Sequence, residues 1–289
     1  MRVKKAVITA AGPNQRALPL QTVIDADGIE KSVLAILIEQ ALAAKIQEVC
    51  VVVSPDDVPA YSLASGRHTG VVRFVPQREP AGYADAIWCA RDFTGGEPFL
   101  HMVGDHLYVS ATTDPSTKRV VELAEDQECS VSGVQATRES LLPHFGAVAG
   151  RRVPERQGAY RVDTVMEKPT PTEAEQRLMV SGIRAGYYLC FFGIHVLTPT
   201  LMDLLGSMLR DPGGEAVTLS SALAKLARQE QYLALEDEGR RYDIGARYGL
   251  LVAQLALALN GRDRNQVLSQ IVELLADRAM AAPCGKGDQ

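Results

Sequence analysis

The N-terminal third of the chain alternates between β-branched apolar runs and amphipathic stretches, and that alternation constrains the fold more than any other feature. Val3–Thr9, Glu48–Ser54, Val71–Pro76 and Pro98–Gly104 predict strands, and the run EVCVVVS at Glu48–Ser54 is apolar enough to be buried on both faces. Between them, Val33–Lys45 carries Leu34, Leu37, Ile38, Ala41 and Leu42 at helical spacing. Pro55-Asp56-Asp57 opens a short helix, and Tyr83–Arg91 predicts another. Strands separated by helices require right-handed crossovers. The expected class is therefore α/β: a Rossmann-like, mixed but mostly parallel central sheet flanked by helices.

The second half is less regular. Ser130–Thr137, Ala159–Glu167, Gly186–Val196 and Tyr232–Glu236 predict strands. Leu201–Leu209 and Ser220–Gln229 predict helices, and two further helices, Arg247–Leu259 and Asn265–Ala279, close the chain ahead of a disordered tail over 281–289. No internal repeat or low-complexity block is present. Gly150–Gly158 is the most linker-like stretch, but it is short and lies between strands, so it reads as a hairpin excursion.

Composition then removes whole classes of function. Acidic residues number 35 and basic residues 30, a net charge of −5. Gripping a nucleic acid polymer needs a basic face, so polymer binding is not expected, whereas a small anionic ligand needs only a few donors. The five cysteines, Cys50, Cys89, Cys129, Cys190 and Cys284, are dispersed and read as small buried hydrophobes in a reducing cytoplasm. No Cys/His spacing suits zinc. The apolar stretch near Met1 is too short for a signal-peptide core, and no segment is long enough to span a membrane.

In open α/β sheets, ligands bind beyond the carboxyl ends of strands. That rule selects Ala10–Arg16, Gln77–Gly82, Asp105–His106 and the segment around Asp243. The turn Ala10-Ala11-Gly12 can present backbone N–H groups to phosphates, although it is neither a dinucleotide fingerprint nor a Walker loop. Asp105, in Gly104-Asp105-His106, suits Mg²⁺, which takes one or two carboxylates together with phosphate oxygens. Asp243, in Tyr242-Asp243-Ile244-Gly245, is either a second such ligand or the N-cap of the helix after it. Lys168, in Glu167-Lys168-Pro169, is a point charge suited to phosphate, or a solvated lysine before a turn. Gly146 and Gly186 either admit a ligand to the backbone or are plain strand glycines.

Taken in order, these pieces resemble the sugar-1-phosphate nucleotidyltransferases, of the UTP–glucose-1-phosphate uridylyltransferase type, over roughly Val3 to Leu259. Ile24-Asp-Ala-Asp-Gly-Ile-Glu-Lys-Ser32 is similar to the family's VDxxGxxKP turn, and Glu167-Lys168-Pro169 to its EKP motif. Phe145-Gly146 matches its YG, and Gly214-Glu215 with Leu219 is similar to its GExQLT segment. The resemblance implies the nucleotide-diphospho-sugar transferase fold as one domain over 1–280. A nucleotide-binding half covers about 1–137, a sugar-phosphate-binding half about 138–245, and closing helices about 246–280. It implies that Gln77 and the Gly82 backbone read a pyrimidine, with Ala10, Ala11 and Gly12 at the nucleotide phosphates. Gly146, Glu167, Lys168 and Tyr188 then hold the sugar phosphate. Asp105 and Asp243 hold Mg²⁺, and Arg16, Asp105, Lys168 and Asp243 form the catalytic set. The implied partners are a nucleoside triphosphate, UTP favoured, and a sugar 1-phosphate, glucose 1-phosphate favoured. The apolar closing helices either pack on the chain's own sheet or form a homo-oligomer contact.

One motif departs from the family. Its loop GxGTRxxPxTxxxPK becomes Gly12-Pro13-Asn14-Gln15-Arg16-Ala17-Leu18-Pro19, without the second glycine or the terminal Pro-Lys. Arg16 aligns with the family arginine at its usual spacing from Gly12; with an earlier gap it aligns with the lost lysine. Losing a charge aimed at developing phosphate charge costs ~2.7–4 kcal/mol, about 10²–10³ in rate. Lys4, Lys5 and Lys31 are the substitutes nearby in sequence. Besides an active transferase, the altered loop leaves two readings open: a regulator that binds sugar nucleotides, and an enzyme for a non-standard sugar or cyclitol phosphate.

Overall fold

The computed structural model describes residues 1–281 except 111, 113, 212 and 215. Among the described residues, thirteen strands and ten α-helices follow one another, with short 3₁₀ turns between some of them. The first part comprises β1 (Lys5–Thr9), β2 (Thr22–Ile24), β3 (Glu30–Ser32), α1 (Val33–Ala43), β4 (Glu48–Val53), α2 (Val58–Ala64), β5 (Val72–Pro76), α3 (Tyr83–Cys89), α4 (Arg91–Thr94), β6 (Phe99–Val103), β7 (His106–Val109) and α5 (Ser116–Gln127). The second comprises β8 (Ser130–Arg138), β9 (Gly146–Arg152), β10 (Ala159–Glu167), α6 (Pro171–Arg177), β11 (Tyr187–Leu197), α7 (Pro199–Arg210), α8 (Leu219–Gln229), β12 (Tyr232–Glu236), β13 (Arg240–Asp243), α9 (Gly249–Asn260) and α10 (Arg264–Ala281).

Nine strands form one sheet in the order β5-β4-β1-β6-β11-β8-β12-β10-β9. β5, β4, β1 and β6 are mutually parallel, as are β8 and β12, and only β10 and β11 run against the rest. The parallel expectation for the N-terminal strands therefore holds. The stretch Gly150–Gly158 is the expected hairpin, joining β9 to its antiparallel partner β10. β9, α5 and α6, and the short ribbons β2–β3 and β7–β13, are elements beyond those expected from the sequence. α10 runs to Ala281, one residue into the expected tail; 282–289 lie outside the described residues.

Both faces of the sheet are covered, which explains the continuous apolar runs. Alternate residues serve opposite cores: Ala6, Ile8, Val49 and Val51 pack with α1, while Val7, Cys50 and Val52 pack with α3 and α7. A chain buried on both sides offers solvent-accessible polar chemistry mainly at its strand ends. There the backbone ladder continues past the strands: Ala10 N–H donates to Val52 O, Gln77 N–H to Val53 O, and Gly104 N–H to Thr9 O. These bonds bring the loops after β1, β5 and β6 to one edge.

The core also holds a polar chain. His195 Nδ1 lies 2.6 Å from Ser132 Oγ, which lies 2.6 Å from the Tyr232 hydroxyl, and the His195 ring packs against that of His101. Burial holds both imidazoles neutral, pushing His195 down to about 3 and His101 well below its ordinary value, with His195 adding to the latter. Unfolded histidines bind protons below about pH 6.5, whereas these folded ones resist until far lower. The associated stability is complete above pH 6.5 and is lost as pH falls toward 3, at about 1.4 kcal/mol per pH unit for each histidine. Urea unfolding between pH 6.5 and 4.5 checks this. His195→Phe leaves Ser132 its Tyr232 partner and should reduce the slope by one proton; an unchanged slope would exclude His195 as its source.

Candidate active site

A cleft of about 410 Å³ opens at the carboxyl ends of β1 and β6, between the loops after β1, β5 and β6 and the end of β10. Its size is that of an ordinary small-molecule site. Ala10, Ala11, Gly12, Gln77, Gly82, Asp105, Glu167 and Lys168 all line it, so most of the sequence-selected residues converge.

The first loop is closed by short-range bonds: Gln15 N–H and Arg16 N–H both donate to Gly12 O. The buried Tyr61 hydroxyl lies 3.2 Å from Ala10 O and 2.6 Å from Arg16 O, pinning both ends of the turn. Arg16 itself points away from the cleft. Its guanidinium is 3.4 Å from Ser54 Oγ and 3.6 Å from Asp57, and its side chain is 47% exposed.

Gln77 is buried at the cleft wall. Its amide nitrogen donates to Gly82 O at 3.1 Å and to Asp85 Oδ2 at 2.7 Å, which uses both N–H groups and leaves Oε1 as an acceptor. Gly82 starts α3 at φ 115°, a conformation that L side chains rarely adopt.

Asp105 and Asp243 meet through the β7–β13 ribbon, in which His106 pairs with Asp243, and Ile244 N–H donates to Asp105 O at 3.0 Å. Ligand atoms of Asp105, His106 and Asp243 lie within 4.8 Å of one another. Asp105 Oδ1 contacts His106 Nδ1 at 2.7 Å, and Asp243 Oδ1 accepts from Gly245 N–H and Ala246 N–H. Each carboxylate thus keeps one oxygen without a partner among the described residues. Two hard oxygen donors fit a divalent cation such as Mg²⁺. Asp243 therefore caps a turn; the N-cap position of α9 belongs to Tyr248, at φ 64°.

Across the cleft, Glu167 Oε2 accepts from Ser220 Oγ. Lys168 follows at φ 45°, its N–H donating to Phe145 O, and it has no ion-pair partner among the described residues. Gly146 is absent from the cleft wall: a Cβ there would come within 2.6 Å of Ser220 Oγ and 2.7 Å of the Phe191 ring, so it allows close packing beneath Glu167. Tyr188 is buried in the core beside Leu189 and Cys190, away from the cleft. Glu215 lies outside the described residues.

None of the lysines near the altered loop replaces the missing one. Lys31 is 2.6 Å from both Asp25 and Glu39. Burial opposes charge on all three groups, but the mutual hydrogen bonds prevail, lowering both carboxyls and raising the lysine. Lys5 bonds Thr94 O and Glu97, and Lys4 precedes it; both stand at the start of β1, opposite the cleft.

Thr9 and Tyr83, which no sequence signal selected, also line the cleft, as does His106 of the selected segment Asp105–His106. The Tyr83 ring faces the cleft, while its hydroxyl reaches inward to His101 at 3.4 Å. Burial of that hydroxyl, with Asp105 and Glu167 nearby, raises its pKa well above the ordinary value. Adjacency to Asp105 was the available signal for His106; Tyr83 carried none.

Comparison with known proteins places this geometry among relatives. The family model for nucleotidyl transferases matches residues 5–259. UTP–glucose-1-phosphate uridylyltransferase 1 of Streptococcus pyogenes serotype M3 is 29% identical, over 89% of this chain and 90% of its own. The UTP–glucose-1-phosphate uridylyltransferase of Bacillus subtilis is 26% identical, over 96% and 98%. The fold is similar to that of UDP-glucose pyrophosphorylase solved with UDP-glucose, with TM-score 0.71 and 20% identity over 88% of this chain and 98% of that one. It is equally similar to a UTP-bound enzyme of that type from Acinetobacter baumannii, with TM-score 0.71 and 20% identity over 93% and 98%.

The Lys31 cluster gives a prediction for stability. Lys31→Met leaves the buried Asp25 carboxylate without its cation, while Glu39 keeps Arg67 and His68, and should lower the unfolding free energy by about 1–3 kcal/mol. A change under about 0.5 kcal/mol in urea titration would mean that the cluster is solvated like a surface pair.

Proposed function

We propose that this chain, which belongs to the nucleotidyl transferase family, transfers the uridylyl group of UTP to glucose 1-phosphate, releasing pyrophosphate and forming UDP-glucose. The observation that carries this reading is the cleft lined together by Gln77, Asp105, Glu167 and Lys168, with Asp243 beside Asp105 at its edge. The names of the relatives support the choice of substrates.

Gln77 Oε1, the remaining acceptor of that amide, receives the uracil N3–H; cytosine has no hydrogen at that atom, so the contact favours UTP over CTP. The loop Ala10-Ala11-Gly12 lies against the nucleotide phosphates. Glu167, fixed by Ser220, accepts sugar hydroxyls, and Lys168 holds the sugar phosphate so that its oxygen attacks the α-phosphorus in line. Gly146 keeps Ser220 and Phe191 close beneath this subsite. Tyr188 acts only through core packing. Asp105 and Asp243 hold a divalent cation, Mg²⁺, which when bound supplies positive charge to the nucleotide phosphates. Arg16 contributes once it leaves Asp57 for the triphosphate.

The halves 1–137 and 138–245 supply nucleotide and sugar-phosphate contacts within one domain, and the protein works in the cytoplasm. The unbridged state of Cys50, Cys89, Cys129 and Cys190 supports that compartment. No helix among the described residues is long and apolar enough to cross a membrane. Leu268, Val272 and Leu275 are exposed at helical spacing on α10, beside exposed Leu251 and Val252 on α9, which supports pairing with a second copy.

Pyrophosphate release with Mg²⁺, glucose 1-phosphate and each nucleoside triphosphate tests the reading. UTP should give the highest kcat/KM. Asp105→Asn and Asp243→Asn should each lower kcat by about 10²–10³. Gln77→Leu should reduce the UTP-to-CTP preference by about tenfold, the value of one specific hydrogen bond. No release with any pair of substrates would remove the enzymatic reading, and full activity of either aspartate variant would remove that residue from the metal site. Val272→Glu should yield a monomer in sedimentation if α10 pairs two copies; an unchanged mass would exclude that surface.

A further inference from the structure

The sugar end of the cleft does not stop at Glu167. The same residue lines a second cavity of about 320 Å³, bounded otherwise by Val165 and one face of α8. The Ser220 hydroxyl holds the Glu167 carboxylate as the partition between the two spaces. Lys225 and Arg228 line the new cavity three residues apart, and therefore on one face of the helix. Neither takes part in any ion pair among the described residues.

The charged groups of this cavity are Glu167, Lys225 and Arg228, which leaves it one positive charge in excess. The start of α8 adds little. Its capping box closes on itself: Ser221 N–H donates to Thr218 Oγ1 at 3.0 Å, and Thr218 N–H donates to Ser221 Oγ at 3.1 Å. A neutral sugar beside Glu167 leaves both cations to water. An acceptor with an anionic group at its far end gives them a counter-charge, and the arginine fork suits a carboxylate or phosphate.

We propose that this cavity is an anion subsite extending the acceptor end of the cleft, which takes a carboxylate or phosphate carried by the sugar 1-phosphate remote from its reacting phosphate. The inference rests on the nucleotidyl transfer reading above and adds acidic sugar 1-phosphates to glucose 1-phosphate as acceptors.

The test compares three acceptors, with UTP and Mg²⁺, on the wild type and on the Lys225→Ala/Arg228→Ala double variant. Glucuronic acid 1-phosphate carries a remote carboxylate, glucose 1,6-bisphosphate a remote phosphate, and glucose 1-phosphate neither. The double variant should lose about tenfold in kcat/KM for the two anionic acceptors, mainly through KM, as expected for two exposed charge pairs. Its rate with glucose 1-phosphate should stay unchanged. Equal losses for all three acceptors, or no loss for any, overturn the subsite. Inorganic phosphate added to the glucose 1-phosphate reaction separates the sources: an effect lost in the double variant, with anionic acceptors unaffected by the substitutions, assigns the cavity to a free anion and overturns the acceptor claim. If no acceptor turns over, the transfer reading fails, and equilibrium dialysis of glucuronic acid 1-phosphate decides the subsite. Binding that weakens about tenfold in the double variant supports it; equal binding, or none, overturns it.

Discussion

The pairing of β7 with β13 is the constraint on which the candidate site depends. This ribbon sets Asp105 and Asp243, far apart in sequence, side by side at the edge of the sheet. Two carboxylates at such range repel, so the arrangement costs free energy that the fold must offset elsewhere. Part of the offset is visible: His106 engages one oxygen of Asp105, two backbone N–H groups engage one oxygen of Asp243, and Ile244 ties its N–H to Asp105 O. What remains is one unpartnered oxygen on each acid, an arrangement that a bound cation would stabilise further.

The sheet explains why this chemistry gathers at one edge. Its N-terminal strands are buried on both faces, so polar side chains open to solvent and ligand gather where strands end. The proposed base reader Gln77 follows β5, Asp105 follows β6, and Glu167 closes β10 from the opposite wall. The altered loop after β1 sets the electrostatics. Arg16 rests on Ser54 and Asp57, while Lys31 is held by Asp25 and Glu39. Lys168 is consequently the one Lys or Arg lining the cleft among the described residues, which concentrates the proposed phosphate binding on it and on the cation site.

Much of this was legible in the sequence where a local signal existed. β-branched runs gave the buried strands, and strand ends gave Asp105, Asp243, Gln77 and Gly82. Side-chain direction was not legible. Along β11, Tyr187 meets Arg138 at the surface while Tyr188 enters the core, because neighbours in a strand face opposite sides. Arg16 was equally undetermined, since its partner Asp57 is distant in sequence, and Lys31 because it reaches Asp25 and Glu39 only once the β2–β3 ribbon and α1 are folded. α6 could have been found: Thr170 and Glu173 form a capping box at the spacing its motif requires. β9, built from GAVAGRR, could not, because glycine and alanine carry no strand preference and only pairing with β10 and β11 makes it one.

The central claim is that one cleft holds both ends of a sugar nucleotide, with the base at Gln77 and the sugar at Glu167 and Lys168. A crystal structure with UDP-glucose and Mg²⁺ tests it most directly. The account predicts the uracil N3–H on Gln77 Oε1, the sugar hydroxyls on Glu167, a phosphate oxygen on Lys168, and density for a cation between Asp105 and Asp243. A nucleotide seated elsewhere, or a uracil without contact to Gln77, would contradict it.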